Sequence, residues 1–99
     1  MAEIIWTNPA LNDLNEIAEY ISISNIISAK KLVVNVFEKV ERLELFPESG
    51  KKVLELSNLN YREIIVTPCK IFYKIESDKV SILHVMRQER DLRKFLILN

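Results

Sequence analysis

The stretch YREIIVTPCKIFYKIESDKVSILHVMR, residues 61–87, decides the fold. It holds three runs rich in Ile, Val, Tyr and Phe at 61–66, 71–75 and 80–86, and these read as strands. Thr67, Pro68 and Cys69 separate the first two runs, and Ser77 and Asp78 separate the last two. Connections this short close hairpins, so the spacing predicts an antiparallel sheet. In the last run Val80, Ile82, His84 and Met86 alternate with Ser81, Leu83, Val85 and Arg87. Apolar residues fall in both sets, as expected of a central strand. Residues 52–56 are expected to add an edge strand, and residues 91–98 a closing helix with Asp91 at its positive end.

Upstream the period changes. Thr7, Asn8 and Pro9 form a helix start, with Asn8 expected as N-cap and Pro9 as the first helical residue. Leu11, Leu14, Ile17, Ala18 and Ile21 recur at helical steps, while Asn12, Asp13, Asn15, Glu16 and Glu19 take the other face. Residues 22–28 mix β-branched and capping side chains and read as a frayed end and a turn. Ala29, Leu32, Val33, Val36, Phe37, Val40 and Leu43 form a second stripe, closed by Pro47. The fold class is therefore α+β: an N-terminal antiparallel helical hairpin packed on a C-terminal antiparallel β-sheet, with residues 1–99 as one domain.

Composition removes several function classes. The chain has 99 residues, with Gly 1, Cys 1 and His 1. One glycine cannot build a phosphate-cradling loop, one cysteine allows no internal disulfide, and one histidine allows no His/Cys zinc cage. No cofactor or metal is expected. No apolar run approaches the roughly 20 residues of a membrane span, so a cytoplasmic location without membrane association is expected. Net charge is zero, yet residues 1–50 carry 4 basic and 8 acidic side chains against 10 and 6 in the remainder. Arg62, Lys70, Lys74, Arg87, Arg90, Arg93 and Lys94 are thus expected to gather at one end or face of the sheet as an anion-binding surface. His84, within a strand and beside no nucleophile on a strained turn, supports no hydrolytic triad and reads as a half-buried sheet residue. Cys69 reads as an inert small residue.

The string Trp6-Thr7-Asn8-Pro9-Ala10-Leu11-Asn12-Asp13-Leu14-Asn15-Glu16-Ile17-Ala18-Glu19-Tyr20-Ile21 is followed by Leu45-Phe46-Pro47-Glu48-Ser49-Gly50-Lys51, Tyr61-Arg62-Glu63, Phe72-Tyr73-Lys74-Ile75 and His84-Val85-Met86-Arg87. In order and spacing these resemble the ParE/RelE toxin superfamily of bacterial type II toxin-antitoxin modules. The first-helix pattern, and the late His84 and Arg87 with Arg90-Asp91-Leu92 following, are more similar to the ParE branch. The resemblance implies a growth-arresting toxin whose target is DNA gyrase and whose partner is a cognate ParD-like antitoxin. That antitoxin would be acidic, lie along the groove between hairpin and sheet, and neutralise its basic side. Stable nucleic-acid binding by the toxin alone is not implied. By position, the resemblance points to Arg62, Lys70, Tyr73, His84, Arg87 and Arg90 as target-binding residues, with no catalytic residue. The alternatives are a RelE-like ribosome-dependent messenger RNA endoribonuclease, with Arg62 and Arg87 on the phosphate and His84 or Lys70 moving the proton, and a degenerate member that only binds antitoxin.

Overall fold

The computed structural model describes residues 1–54 and 60–89. Strand β1 (Glu3–Trp6) leads into helices α1 (Asn8–Ser24) and α2 (Ile26–Glu41). Short 3-10 turns at Arg42–Glu44 and Pro47–Ser49 then lead to strands β2 (Lys51–Lys52), β3 (Tyr61–Val66), β4 (Cys69–Glu76) and β5 (Lys79–Arg87). The expected α+β architecture of two helices on a sheet is what forms. The expected closing helix at 91–98 lies outside the described residues. Of the expected edge strand at 52–56, Lys52 lies in β2, Val53 donates its N–H to the Tyr61 carbonyl at 3.0 Å, and 55–56 lie outside the described residues as well.

The sheet runs in the order β1-β5-β4-β3-β2, and its hairpins form where the two-residue turns place them. It is mixed rather than wholly antiparallel, because β1 lies parallel beside β5, matching Glu3 with Lys79 and Trp6 with Ile82. An opening with three apolar residues, Ile4, Ile5 and Trp6, carries no signal of a partner some 75 positions away, so only the assembled sheet reveals it. β5 is interior, as its two apolar faces require.

The strict alternation expected along β5 is broken. Phe72 stands opposite His84 and Tyr73 opposite Ile82, which makes Leu83 an extra, bulged residue. The bulge keeps Val80 and Ile82 on the helix side and moves Val85 there too. These three join Ala10, Leu14, Leu32, Val36, Val40, Leu43, Ile71 and Tyr73 in the main core. On the other face Val53 and Phe72 pack with Tyr61 and Met86.

Capping differs from the sequence expectation by one residue. Thr7, not Asn8, caps α1, because its hydroxyl accepts from the Ala10 N–H at 3.3 Å and donates to the Ile82 carbonyl at 2.7 Å. One hydroxyl thus serves the helix start and the strand beside it. The expected fray and turn at 22–28 contract to a single residue. Asn25 donates its N–H to the Ile21 carbonyl at 2.9 Å, and its Oδ1 accepts from the Ser28 N–H at 2.9 Å. It closes α1 and opens α2, so both helices run further than their propensities suggest.

A buried tyrosine fastens the segment after α2. The Tyr73 hydroxyl donates to the Pro47 carbonyl at 2.8 Å and accepts from the Gly50 N–H at 2.9 Å. Arg62 Nη1 donates to the carbonyls of Glu48 at 3.0 Å and Gly50 at 2.8 Å. Gly50 is required by close approach, since a Cβ there would stand 2.3 Å from the Tyr73 hydroxyl oxygen. Burial is the main cause that pushes the Tyr73 phenol above its ordinary value of 10.0, with the Gly50 N–H and Arg62 pulling it back.

Tyr73→Phe is expected to cost about 1–3 kcal/mol, the penalty of leaving a buried Gly50 N–H and Pro47 carbonyl unpaired. Gly50→Ala should cost a similar amount through displacement of the ring. Because folding raises the Tyr73 pKa, the folded state holds its proton more tightly than the unfolded state. Stability from this group is intact below pH about 10 and falls as pH rises beyond it. Urea titrations at pH 8 and pH 10.5 check this: the wild-type loss between them should exceed that of Tyr73→Phe.

Candidate functional site

β1 ends at Trp6, so beyond Ile82 the edge of β5 has no strand beside it among the described residues. The first turns of α1 serve that edge instead. Thr7 bonds the Ile82 carbonyl, and Asp13 Oδ2 accepts from the Val85 N–H at 3.1 Å. The same carboxylate oxygen lies 3.4 Å from His84 Nδ1, with both side chains about one-third exposed. His84 is a half-buried sheet residue held by a carboxylate, as a structural histidine is.

Below this contact, α1 and the end of β5 enclose an open cleft of about 450 Å³, lined by Asp13, Glu16, Ile17, Tyr20, Val85, Met86, Arg87 and Glu89. Arg87 Nε pairs with Glu89 Oε1 at 2.7 Å, and its guanidinium carbon stands 5.7 Å from the centre of the Tyr20 ring. Among the described residues, three carboxylates stand against one guanidinium in this cleft, where a basic groove is expected; Arg90, Arg93 and Lys94 of that expectation lie outside them. The residues that shape it were legible in one respect: Asp13, Ile17 and Tyr20 follow a four-then-three spacing that sets them on one helix face.

The six residues expected at a target site are dispersed. Arg62 and Tyr73 stand opposite each other and both bond Gly50, while His84 and Arg87 lie three residues apart on β5. Tyr73 has no exposed surface and lies in the core, where its hydroxyl serves the Pro47–Gly50 segment, so it presents nothing to a target in this structure. Arg62 is committed to main-chain carbonyls. Lys70 stands opposite Met86, on the sheet face away from Arg87, which stands opposite Cys69. Arg90 lies outside the described residues, as do Arg93 and Lys94. Register separates Arg62 from Arg87 by four residues along β4 and by two strand spacings, about 13 Å and about 10 Å. These two do not converge on one phosphate. Lys74 pairs with Glu76, a hydrogen bond that raises its pKa. Among the described residues, the expected single cationic surface is absent.

A concentration of cations does exist where the sequence halves obscured it. Lys39 and Arg42, from the acidic half, meet Lys51 around a second cleft of about 340 Å³, also lined by Leu43, Ser49, Gly50, Glu63, Ile64 and Ile65. Counting charge by position along the chain could not find it, because the cleft joins the end of α2 to the sheet.

Cys69 is buried, and burial pushes its thiol above the ordinary value of 9.0, with Arg87 opposing and Glu89 reinforcing the rise. The thiolate is disfavoured and the residue acts as a small core side chain. Among the described residues no group of three or more His, Cys, Asp or Glu is placed to hold a metal ion. No helix among them is long and apolar enough to cross a membrane.

Comparison with known proteins agrees with this architecture. The family model described as the ParE toxin of type II toxin-antitoxin system, parDE, matches residues 4–92. Toxin RelE2 of Caulobacter vibrioides is 28% identical over 87 residues, covering 88% of this chain and 92% of that protein. A solved chain from the chromosomal ParDE TA system of P. aeruginosa superposes with a TM-score of 0.73 at 22% identity, over 88% of this chain and 96% of that one.

Asp13→Ala is expected to destabilise the fold by about 1.5–3 kcal/mol, since it removes a charged acceptor from a strand-edge N–H. Tyr20→Ala, on the exposed rim, should cost less than about 1 kcal/mol. Thermal melts of both variants check the contrast, and equal shifts would show that Asp13 does not anchor α1.

Proposed function

Since the chain belongs to the ParE toxin family of type II toxin-antitoxin systems, we propose that it arrests bacterial growth by binding DNA gyrase and is held inactive by a cognate ParD-like antitoxin. It acts in the cytoplasm, where gyrase and its DNA are. The matched chain from a ParDE system supports an antitoxin as partner.

The observation that favours a binding toxin over a nuclease is the separation of Arg62 from Arg87. Cleavage of a phosphodiester through a 2′-hydroxyl needs a base at that hydroxyl, an acid at the leaving oxygen and cations on the phosphate, all within one site. Here Arg62 is spent on the Glu48 and Gly50 carbonyls, Lys70 lies on the other sheet face, and Arg87 pairs with Glu89. His84 faces the Asp13 carboxylate, which borders a cleft whose described lining is net acidic, and such a lining disfavours an anionic substrate. A protein surface is the better fit, with His84, Arg87 and Arg90 as its contacts.

Purified protein added to gyrase is expected to inhibit supercoiling and to accumulate cleaved DNA. Primer extension on messages from arrested cells should show no new codon-positioned 5′ ends. Intact supercoiling together with such ends would reverse the assignment in favour of a ribosome-dependent endoribonuclease. Arg87→Ala should weaken gyrase inhibition at least about tenfold if Arg87 is a contact, as arginines at binding hot spots commonly do.

A further inference from the structure

Helix α2 is apolar around more of its circumference than one core can cover. At about 100° per residue, its buried Ala29, Leu32, Val36 and Val40 span an arc of about 80°. Ile26, Phe37, Val34 and Ile27 carry the apolar surface on for about 140° more, and all four are exposed. A stripe of roughly 100° is enough to seat a helix on a core. The excess is turned to solvent.

Phe37 is partly occupied, since its ring packs on Trp6 with 4.9 Å between centroids. The other three, with Ile23 at the end of α1, are each more than half exposed. Two almost wholly apolar recesses flank Val34. One, of about 520 Å³, lies between the helices and is lined by Ala18, Ala29 and Val33; the other, of about 270 Å³, lies beside Ile27 and Asn35. Soluble monomers rarely leave a contiguous apolar surface of this kind without a partner.

The charge around Val34 says what that partner is. Lys30 and Lys31 come before it and Glu38 and Glu41 after it, all exposed. By helical angle Lys30 and Glu41 lie on one flank of Val34, and Lys31 and Glu38 on the other. A two-fold axis perpendicular to α2 beside Val34 reverses the chain direction and keeps each flank over itself. Lys30 then meets Glu41 of a second copy, Lys31 meets its Glu38, and each ion pair occurs twice. Lys39 and Arg42 line the cleft at the sheet and leave this pattern undisturbed. A wholly acidic or wholly basic partner would oppose half of the face with like charge, whereas a second copy opposes neither half.

We propose that α2 packs antiparallel on α2 of a second copy of this chain, with Val34 meeting Val34 at the two-fold axis. Phe37 of each copy faces the recess between the helices of the other. The isoleucines at the hairpin end, Ile23, Ile26 and Ile27, run over the far end of the other α2, where Leu45 and Phe46 are exposed. Apolar burial holds the copies together, and the ion pairs set the direction, since a parallel pairing would lay like charge on like. The cleft lined by Asp13, Glu16, Ile17 and Tyr20 lies on the side of α1 opposite to Ala18 and Ser22, so it stays open in both copies. The pairing is therefore independent of the target that the toxin binds.

Sedimentation equilibrium of the purified full chain from about 1 µM to about 1 mM should show the mass double. Val34→Glu, at an exposed helix position, should raise the dissociation constant at least about tenfold, because the residue meets itself at the axis. A mass that stays monomeric over that range, or a dimer that Val34→Glu leaves unchanged, would overturn the proposal.

Charge exchange tests the identity of the partner. Lys30→Glu with Lys31→Glu makes the charges around Val34 wholly acidic, and Glu38→Lys with Glu41→Lys makes them wholly basic. Each double variant, with helical circular dichroism equal to that of the wild type, should be monomeric where the wild type is dimeric. Mixed together, the two should associate one to one, and failure to do so would overturn the two-fold arrangement. Gyrase inhibition is read apart from this: a monomeric chain that inhibits gyrase removes only the interface, and a dimer that leaves gyrase untouched removes only the target.

Discussion

Everything on the functional side of this molecule follows from the need to satisfy the backbone of β5 where β1 stops. A buried or half-buried strand edge cannot leave its N–H and C=O groups unpaired without losing on the order of 1–3 kcal/mol for each. Thr7 and Asp13 meet that requirement at Ile82 and Val85, and in doing so fix where α1 lies. The cleft among Asp13, Tyr20 and Arg87 is the space left over by that docking. His84 takes its place from the same carboxylate, so the one imidazole of the chain is held by the bond network that attaches the first helix.

A second fastening, at the other end of the sheet, has the same logic with different chemistry. The segment from Pro47 to Gly50 must cross from helix layer to sheet with its own polar groups exposed to a core. The Tyr73 hydroxyl and Arg62 guanidinium take four of those bonds from below. Two side chains that look functional in the sequence, an aromatic hydroxyl and an arginine on adjacent strands, are thereby absorbed by structure. Among the described residues, Arg62 is thereby committed to main-chain carbonyls and stands apart from Arg87.

Legibility varied with the range of the interaction involved. The meander was visible because β-branched and aromatic runs, separated by two- or three-residue breaks, report on contacts between neighbours in sequence. The helices were visible through their apolar stripes, and the resemblance to ParE and RelE toxins rested on the same local strings. The parallel pairing of β1, the bulge at Leu83 and the choice of Thr7 over Asn8 as cap were not visible. Each is decided by a partner some 10 to 75 positions distant, and local propensity is silent about such partners. Asn25 is intermediate: its capping chemistry was readable, but its service to two helices at once depended on how closely they pack.

From the sequence alone came the order and type of the elements, the apolar faces, the inertness of Cys69 and the family resemblance, since each depends on residues within a turn or a strand of one another. The tertiary structure decided where the charges meet. Arg62 and Arg87, equally basic on paper, are held apart by strand register, while Lys39 and Arg42, from the acidic half, join Lys51 across the end of α2. Coulombic fields act through space over a few ångströms and not along the chain, so only the folded arrangement shows that the cation-rich surface borders the open edge of β3 and that the cleft beside α1 carries the opposite sign.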